Sequence, residues 1–514
     1  GKDRAKLVLK PVTGATGYLG IYMLHDLIKG WKCDIYLPVR GKTPGDALRR
    51  VNEKYRYYFG AELRPNELAR VKILCADLEK ERLGLDEATY AEACEKVDAV
   101  IHSAANVKHY GRYEDFYGPN VKAVENLLEF AATGRKKDFN HISTISVIMG
   151  SIEGRDCALF TEDCLDMGQK SDNLYVATKL EAEKIVVAAR EKLGLKTSIF
   201  RVGNIAFNSK TGLLQQNVEE NAFSVTVKSF VNLGVVPETA DENELSFVDA
   251  TSASVLELFD RKNFHDMTFH CQNHIRVKLS ELLTSPGLGL NVEKLPFNAF
   301  IDRLKTEYGV ECRRPHVENI LLHRGWLENE SGSTEAVVFT TRTARLLKRL
   351  GFEWPRVDET KMVEFMAMAL RERIDFIKGL GLFEGAPVSV LREVAFMSKE
   401  AVFPEGADVV WEGDAVSGMH LIISGNAELQ KVSRAGWTGT IMIAGRGDIL
   451  GGEALSGRRA NVTAEAIMGD LRTLVIDCGR MRQTLMNAPE LCFNFMKAWG
   501  ETIEKLEGIV TNID

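Results

Sequence analysis

Thr13-Gly-Ala-Thr-Gly-Tyr-Leu-Gly20 follows an apolar run, Leu7 to Val12, near the start of this chain. The run predicts a strand, and the spacing G-x-x-G-x-x-G predicts a tight turn into a helix. The three glycines allow the turn, let the backbone approach a phosphate, and let the helix pack closely on the strand. Because the N-terminus of a helix attracts anions, the stretch predicts a binding site for a dinucleotide pyrophosphate. A glycine-rich turn that binds no ligand is the alternative.

A second feature lies about 155 residues further along the chain. Tyr175 and Lys179 are four residues apart, which places a phenol and an ammonium group on one face of a helix. Upstream, Asn140-His-Ile-Ser-Thr-Ile-Ser146 ends a predicted strand with hydroxyl groups, and we expect Thr144 to orient a carbonyl oxygen, with the two serines as alternatives. A phenol has an ordinary pKa near 10, so we expect Lys179 to lower the pKa of Tyr175, the general acid. Together with the glycine turn, this pair predicts a nicotinamide-dependent reductase.

Composition excludes several classes of protein. A chain of 514 residues predicts two or three domains, and a net charge of -7 argues against binding to nucleic acid or to an anionic membrane. The nine cysteines include no C-x-x-C pair, which predicts neither a metal site nor disulfides and favours a reducing, cytoplasmic location. No apolar run approaches 18 residues, so no membrane span is expected. The chain begins with Gly1 rather than Met, and we expect it to be a piece of a longer protein.

The order of predicted elements indicates an α/β protein. Short apolar strands alternate with amphipathic helices up to about residue 260, which predicts a doubly wound parallel-sheet Rossmann fold. Residues 265–375 are more irregular and helical, and we expect them to form a substrate-binding part; residues 376–514 have regular Gly-containing turns and predict a β-roll with a C-terminal helix. The expected domains are therefore 1–264, 265–375 and 376–514. The predicted parallel strands are Leu7–Val12, Asp34–Val39, Val71–Ala76, Ala99–His102, Phe139–Ser143 and Thr197–Val202.

The end of the second predicted strand favours NADP over NAD. An NAD enzyme usually has an acidic residue there for the ribose 2′-hydroxyl, whereas an NADP enzyme has a cation for the 2′-phosphate. Arg40 occupies this position, and Lys42 is a second cation nearby. We therefore expect NADPH as the cofactor; an Arg that is only solvated is the alternative. Asp77 and Leu78, after the third strand, are expected near the adenine.

Five stretches together resemble the thioester reductase family, which belongs to the extended short-chain dehydrogenases/reductases. They are the glycine turn, Pro38-Val-Arg40, Val97-Asp-Ala-Val-Ile-His-Ser-Ala-Ala-Asn-Val107, Ser143-Thr-Ile-Ser-Val147 and Tyr175-Val-Ala-Thr-Lys179. The family includes terminal reductase domains of peptide and polyketide synthases, carboxylic acid reductases and fatty acyl reductases. The resemblance implies reduction by NADPH of an acyl thioester, carried by an acyl carrier protein or by CoA, to an aldehyde and in some members to the alcohol.

The site residues expected from these patterns fall into two groups. The expected catalytic residues are Thr144, Tyr175 and Lys179. The expected cofactor-binding residues are Gly14, Thr16, Gly17, Tyr18, Leu19, Gly20, Arg40, Lys42, Asp77, Leu78, Ser103, Ala104, Ala105, Asn120, Tyr175 and Lys179. The family commonly has Asn-Val-x-Gly-Thr where this chain has Asn120-Val-Lys-Ala-Val124, a departure that leaves the proposed acid and its lysine unchanged.

Residues 380–514 resemble the cyclic nucleotide-binding domain family. The resemblance rests on turns such as Phe403-Pro-Glu-Gly406 and Trp411-Glu-Gly-Asp414, and on Gly451-Gly-Glu-Ala-Leu-Ser-Gly-Arg-Arg459. It implies that Glu453 would bind a ribose hydroxyl and Arg459 a cyclic phosphate. The segment between the two residues is about three residues shorter than in the family, so it presents fewer N–H groups to a phosphate. Nucleotide binding and a ligand-free module for homodimerisation or docking are both open.

Two other functions remain open for the reductase part. An epimerase or dehydratase acting on a nucleotide sugar shares the fold and the Tyr/Lys pair, and it would retain NAD⁺ tightly. A non-catalytic regulator would bind NADPH without turnover, and the C-terminal roll would transmit its state.

Overall fold

The structure is a computed structural model that describes residues 10–107, 111–216, 221–238, 243–259, 261–310, 313–324, 334–432, 436 and 438–510. Its central element is a parallel sheet of seven strands in the order β10-β7-β5-β4-β1-β2-β3. The strands before residue 380 are β1 (Lys10–Thr13), β2 (Ile35–Val39), β3 (Val71–Cys75), β4 (Ala99–His102), β5 (Asp138–Thr144), β6 (Cys157–Phe160), β7 (Thr197–Val202), β8 (Val235–Glu238), β9 (Asn243–Glu244), β10 (Thr268–Cys271), β11 (Arg276–Val277), β12 (Glu293–Pro296) and β13 (Glu335–Val338).

Helices connect and cover these strands. The helices before residue 380 are α1 (Tyr18–Gly30), α2 (Pro44–Phe59), α3 (Pro65–Leu68), α4 (Glu87–Lys96), α5 (Tyr113–Tyr117), α6 (Ala123–Ala132), α7 (Leu174–Lys192), α8 (Ala222–Leu233), α9 (Val248–Leu258), α10 (Leu279–Leu283), α11 (Phe297–Tyr308), α12 (Arg314–Arg324), α13 (Thr341–Arg349), α14 (Glu359–Ala369) and α15 (Arg371–Lys378).

Both faces of the parallel sheet are buried. Alternate strand residues point to opposite faces, so Ile101 packs in the core under α1 and α9, while Val100 packs in the core under α6 and α7. This two-sided burial explains why the strands are almost continuously apolar in sequence. The strand order reverses between β1 and β4, and the crevice at such a reversal is where sheets of this type bind ligands.

The predicted α/β class and its parallel strands are confirmed. Five predicted strands agree with the structure to within one residue at most ends, because each is a short apolar run between turn signals. Of the first predicted strand, Leu7–Val12, the residues before 10 lie outside the described part of the chain. No helix in the described ranges combines the length and apolar character needed to cross a bilayer.

The chain divides into two compact units that are not continuous in sequence. The first contains residues 1–217, 243–277 and 330–357, and therefore the whole parallel sheet. The second contains residues 218–242, 278–329 and 358–514. Helix α8 and the β8/β12 pair thus belong to the same unit as the C-terminal roll. The domain boundaries predicted at residues 264 and 375 remain predictions.

The C-terminal part of the second unit is an antiparallel roll flanked by helices, as predicted. Its longest strands, β16 and β19, each have 15 residues and pair along most of their length. The elements are, in chain order, α16 (Val388–Met397), β14 (Lys399–Phe403), β15 (Asp408–Val410), β16 (Gly418–Val432), β17 (Thr438–Ala444), β18 (Ile449–Leu450), β19 (Thr463–Asp477), α17 (Cys478–Asn487) and α18 (Pro489–Val510).

A buried guanidinium joins four segments of the second unit. Arg373 on α15 is 5% exposed and donates to the carbonyl oxygens of Ala395 at 3.1 Å and Ser398 at 2.8 Å. It also donates to Oδ1 of Asn232 at 2.9 Å and to Oε1 of Glu400 at 3.3 Å. Since Asn232 lies on α8 and Glu400 on β14, one side chain connects the helical segment to the first strand of the roll.

Candidate active site

The glycine turn lies at the carboxyl end of β1 and leads directly into α1. Gly14 has φ of 74°, a conformation that favours glycine, and a Cβ placed on it would lie 2.7 Å from the backbone N of Ala104. A Cβ on Gly20 would lie 2.0 Å from the carbonyl oxygen of Gly14. The glycines are thus needed for the contact of this turn with the end of β4 and with the first turn of α1. The bare backbone at the start of a 13-residue helix fits a pyrophosphate.

Tyr18 supports a neighbouring segment of the chain. Its hydroxyl lies 2.9 Å from the carbonyl oxygen of Ala206 and 3.0 Å from that of Leu213, and it donates to this pair. Burial raises the pKa of Tyr18 well above its ordinary value, so the hydroxyl stays protonated. Tyr18 is predicted to bind the cofactor, and in the structure its hydroxyl holds residues 206–213 beside the glycine turn.

The predicted 2′-phosphate residue is paired with carboxylates. Arg40, at the end of β2, is exposed and donates to Glu79; its Nε lies 3.7 Å from Oδ1 of Asp77. The structure therefore brings together Arg40 and Asp77, which were both predicted to bind the cofactor. Lys42, two residues after Arg40, is exposed. The side chain of Leu78 packs against the core under α6.

The segment after β4 is held by Asn120. The backbone N of Asn106 donates to Oδ1 of Asn120 at 2.7 Å, and Nδ2 of Asn120 donates to the carbonyl oxygen of Asn106 at 3.1 Å and to Oγ1 of Thr178 at 3.0 Å. Asn120 is 1% exposed. Its amide was predicted to bind the cofactor, and in the structure it connects residues 103–106, which line the predicted groove, to α7.

Thr144 and Tyr175 meet at the carboxyl end of β5. Thr144 is the last residue of the strand, and its Oγ1 accepts from the backbone N of Ser146 at 3.1 Å, which caps a 3₁₀ turn. Tyr175 lies in the first turn of α7, which Asn173 caps. Burial raises the pKa of the Tyr175 phenol to about 12, and the nearby Thr144 hydroxyl opposes this rise in part.

Lys179 points toward the sheet. Its Nζ donates to the carbonyl oxygen of Ile142 at 2.7 Å and lies 3.2 Å from Nε2 of His141. Burial lowers the pKa of Lys179 to about 8. The sequence predicted that this ammonium would lower the pKa of Tyr175; in the structure the phenol pKa is raised, because desolvation dominates both groups.

Glu244 is a buried carboxyl group that the sequence did not indicate. It is 7% exposed, accepts from the backbone N of Asn204 at 2.6 Å and pairs with the hydroxyl of Ser246. Asn204 follows the end of β7, the strand next to β5, so this carboxyl lies at the ligand-binding edge of the sheet. Burial raises its pKa to about 7. Asn204, whose backbone N binds this carboxyl, lies 40 residues away in sequence, so no local pattern could have indicated that Glu244 belongs to the site.

In the roll, Glu453 and Arg459 lie on one connection between β18 and β19. Glu453 is in a 3₁₀ turn, Gly452–Ser456, and its backbone carbonyl oxygen accepts from the hydroxyl of Ser456 at 2.8 Å. Arg459 is exposed, and its Nη1 donates to the carbonyl oxygen of Gly413 at 2.7 Å. Among the described residues, no group of His, Cys, Asp or Glu side chains is placed to hold a metal ion.

Comparison with known proteins adds two family matches. Residues 12–255 match the family model described as "Male sterility protein", and residues 400–488 match the model described as "Cyclic nucleotide-binding domain". A linear gramicidin synthase of Brevibacillus parabrevis is 26% identical over 374 residues, which are 71% of this chain and 7% of the synthase. The chain therefore spans only a small part of that curated relative.

Two solved structures share the fold of this chain over about 70% of its length. The terminal R domain from the myxalamid PKS-NRPS biosynthetic pathway matches with a TM-score of 0.63 and 25% identity, over 72% of this chain and 92% of that one. A thiolation-reductase di-domain from an archaeal non-ribosomal peptide synthetase matches with a TM-score of 0.61 and 26% identity, over 71% and 76%. Both resemblances predicted from the sequence are confirmed.

Proposed function

We propose that this chain, which joins a reductase domain of the thioester reductase family to a cyclic nucleotide-binding domain, reduces an acyl thioester to an aldehyde with NADPH. A nicotinamide cofactor and a reductase activity agree with the relatives reported above. The proposal adds three specific points to this: NADPH as the cofactor, an acyl thioester as the substrate and an aldehyde as the product.

The packing of the first turn of α7, which holds Tyr175, against the end of β5, which holds Thr144, carries this proposal. It places two hydroxyl groups at the end of β5, separated from the glycine turn of β1 only by β4. A carbonyl oxygen at this position would accept from both hydroxyls. A phenol with a raised pKa stays protonated at neutral pH, so Tyr175 is in the correct form to donate its proton.

The reaction follows from these positions. NADPH, when bound, supplies a hydride to the thioester carbonyl carbon. Thr144 orients the carbonyl oxygen, and Tyr175 donates its proton to that oxygen as negative charge develops, which gives a thiohemiacetal. The C–S bond then breaks: the thiohemiacetal hydroxyl returns its proton to the Tyr175 phenolate as the aldehyde forms, and the leaving thiolate takes a proton from solvent. The Lys179 ammonium, near Tyr175 on α7, favours the negative charge on the phenolate.

The residues at the sheet edge fit the cofactor. A Cβ at Gly14 or Gly20 would fill the space against the backbone that a pyrophosphate must approach. Arg40 would meet the 2′-phosphate, and Asp77 lies beside it. One matched structure contains a thiolation domain attached to its reductase, which supports a carrier-bound thioester as the substrate here; a CoA thioester has the same reactive group.

An activity assay tests the proposal. NADPH oxidation is followed with acyl-pantetheine, acyl-CoA and carrier-bound acyl substrates, and aldehyde and alcohol are separated by mass spectrometry. We expect Tyr175→Phe to lower kcat by about 10²- to 10⁴-fold while NADPH binding is retained. Tyr90→Phe, which removes a phenol from the core under α6, is the matched control and should keep its rate. Equal rates for wild type and Tyr175→Phe, or no turnover of any thioester, would contradict the proposal.

For the roll we propose regulation by a cyclic nucleotide bound at Glu453 and Arg459. The alternative use is homodimerisation. Calorimetry with cyclic AMP and cyclic GMP separates the two: heat that disappears in Arg459→Ala supports nucleotide binding. No heat in wild type, with a dimer in analytical ultracentrifugation, would support the alternative.

A further inference from the structure

A row of buried polar side chains crosses the sheet beside the candidate active site. Thr13 of β1, His102 of β4 and His141 of β5 are direct neighbours in register, and Lys179 reaches the row from α7. The two histidines are 1% and 0% exposed, and their ring centroids are 5.4 Å apart. We infer that His141 is a positioning residue that holds the Lys179 ammonium in its charged form for the cofactor. This inference rests on the proposed function, since that function gives Lys179 a cofactor to bind.

The hydrogen bonds at Thr13 fix the state of His102. Oγ1 of Thr13 accepts from the backbone N of Ser103 at 3.2 Å and of Ala104 at 3.4 Å. Its single proton is therefore directed to Nδ1 of His102 at 2.7 Å, which must act as the acceptor. Burial lowers the pKa of His102 to about 3, so the ring is neutral and carries its proton on Nε2. His141 on β5 thus has an uncharged neighbour, His102, on the adjacent strand β4.

The contact with Lys179 fixes the state of His141 in the same way. An ammonium group has three donors and no acceptor, so Nε2 of His141 accepts from Nζ at 3.2 Å. The carbonyl oxygen of Ile142 accepts a second N–H at 2.7 Å. Burial, the charge of Lys179 and His102 hold the pKa of His141 well below its ordinary value, so the ring stays a neutral acceptor. The third N–H is left for the cofactor ribose.

Five titratable or charged side chains surround Lys179 and affect whether it is protonated. On α7, Tyr175 lies one turn before it, and Glu183, one turn after it, favours the charged form. Glu183 is itself bound by Arg201 of β7 at 2.7 Å, with both side chains fully buried. From the strands, His141 and His102 face the site. Because burial brings the pKa of Lys179 to about 8, loss of one hydrogen-bond acceptor would leave the lysine largely neutral at that pH.

Three substitutions at position 141 test the inference. The amide of Gln reaches about as far as Nε2 of histidine, whereas the amide of Asn reaches only as far as Nδ1. His141→Gln therefore retains an acceptor for Lys179, while His141→Asn keeps a polar group but loses the contact, and His141→Leu loses both. Phe139→Leu, two residues earlier on the same face of β5, is the control for lost packing alone.

The readout is the pH dependence of the NADPH dissociation constant, measured by cofactor fluorescence without any acyl substrate. We expect binding by wild type, His141→Gln and Phe139→Leu to weaken with a common midpoint near pH 8. In His141→Asn and His141→Leu the midpoint should fall by about one pH unit, which makes binding about fivefold weaker at pH 8. Circular dichroism checks that each variant is folded.

The outcomes separate this inference from the proposed function. The same midpoint in His141→Asn and wild type would overturn the inference, even if wild type reduces a thioester. Conversely, a shifted midpoint without any thioester turnover would support the role of His141 while contradicting the proposed reaction. A wild type that binds no NADPH would overturn both. If His141→Leu does not fold, the comparison of His141→Gln with His141→Asn still decides the question.

Discussion

Arg40 donates a hydrogen bond to the carboxylate of Glu79, which lies 39 residues further along the chain. Asp77 adds a second carboxylate 3.7 Å from the guanidinium. The cation that the sequence assigns to the 2′-phosphate of NADPH therefore already has acidic partners. A phosphate that binds Arg40 must compete with them, so we expect Glu79 as well as Arg40 to affect the affinity for NADPH.

Replacement of Glu79 should strengthen NADPH binding. Glu79→Gln removes the charge that competes for Arg40, and because exposed ion pairs contribute up to about 1 kcal/mol, we expect the NADPH dissociation constant to fall by about two- to fivefold. Titration with NADH is the control, since NADH has no 2′-phosphate and should bind equally to both proteins. Arg40→Ala should have the opposite effect on NADPH alone. An equal change for the two cofactors would contradict the role of Arg40.

Gly20 should tolerate no side chain. In Gly20→Ala the new methyl group would lie 2.0 Å from the carbonyl oxygen of Gly14, so the turn must move away from its present position. We expect a loss of about 1–3 kcal/mol in the free energy of unfolding and a large loss of NADPH affinity.

Gly30 provides the matched control for this change. It lies at the end of the same helix, and a Cβ on it meets nothing within 4 Å. Gly30→Ala should therefore leave NADPH binding unchanged. Calorimetry of the two variants side by side measures both effects, and equal behaviour would contradict the role given to Gly20.

The carboxyl group of Glu244 should make stability depend on pH. Burial raises its pKa from 4.5 to about 7, so between these values the folded protein binds more protons than the unfolded chain. Stability contributed by this group therefore falls as pH rises from about 4.5 to 7. Glu244→Gln keeps a neutral side chain of similar shape and removes this dependence.

Thermal unfolding measured from pH 4.5 to 7.5 checks this expectation. Relative to wild type, Glu244→Gln should gain about 2–3 kcal/mol between the ends of this range, or several degrees in Tm. Parallel curves for the two proteins across the range would show that Glu244 does not titrate there.

Loss of the Arg373 guanidinium should destabilise the second unit. Arg373→Met removes the buried donor shared by Oδ1 of Asn232 and the carbonyl oxygens of Ala395 and Ser398, and it takes the buried cation away from Glu400. We expect a cost of about 3–5 kcal/mol, as for the removal of one partner from a buried ion pair. Arg371→Met is the control, because Arg371 lies on the same helix, is exposed and contacts only Asp375 among the ion pairs of the described residues. Denaturant unfolding should separate the two variants; equal midpoints would contradict the expectation.

Local sequence patterns predicted the elements of the first unit well. The strands and the glycine turn could be predicted because each depends on residues a few positions apart, and their common sheet edge follows from parallel strand order. The positions of Thr144 at the end of a strand and of Tyr175 on a helix follow from the same local patterns.

The partners of these residues could not be predicted. Glu79 meets Arg40, and His141 meets Lys179, only through strand register and helix packing, which no single segment encodes. The pKa of Tyr175 was predicted in the wrong direction because the argument from a neighbouring charge omitted the cost of burial. The hydrogen bonds of the Asn120 amide with Asn106 and Thr178 likewise depend on tertiary packing, and its role in cofactor binding stays a prediction.

The buried guanidinium of the second unit limits how this protein can be recombined. A chimera that exchanges the roll at a junction near residue 375 would separate Arg373 from Ser398 and Glu400, and an incoming roll would lack the acceptors that match it. An exchange that also carries α8 would keep Asn232 with its donor. The second unit, which contains the roll, is therefore discontinuous in sequence. A transplant of the roll into another protein should move residues 218–242 and 278–329 together with residues 358–514.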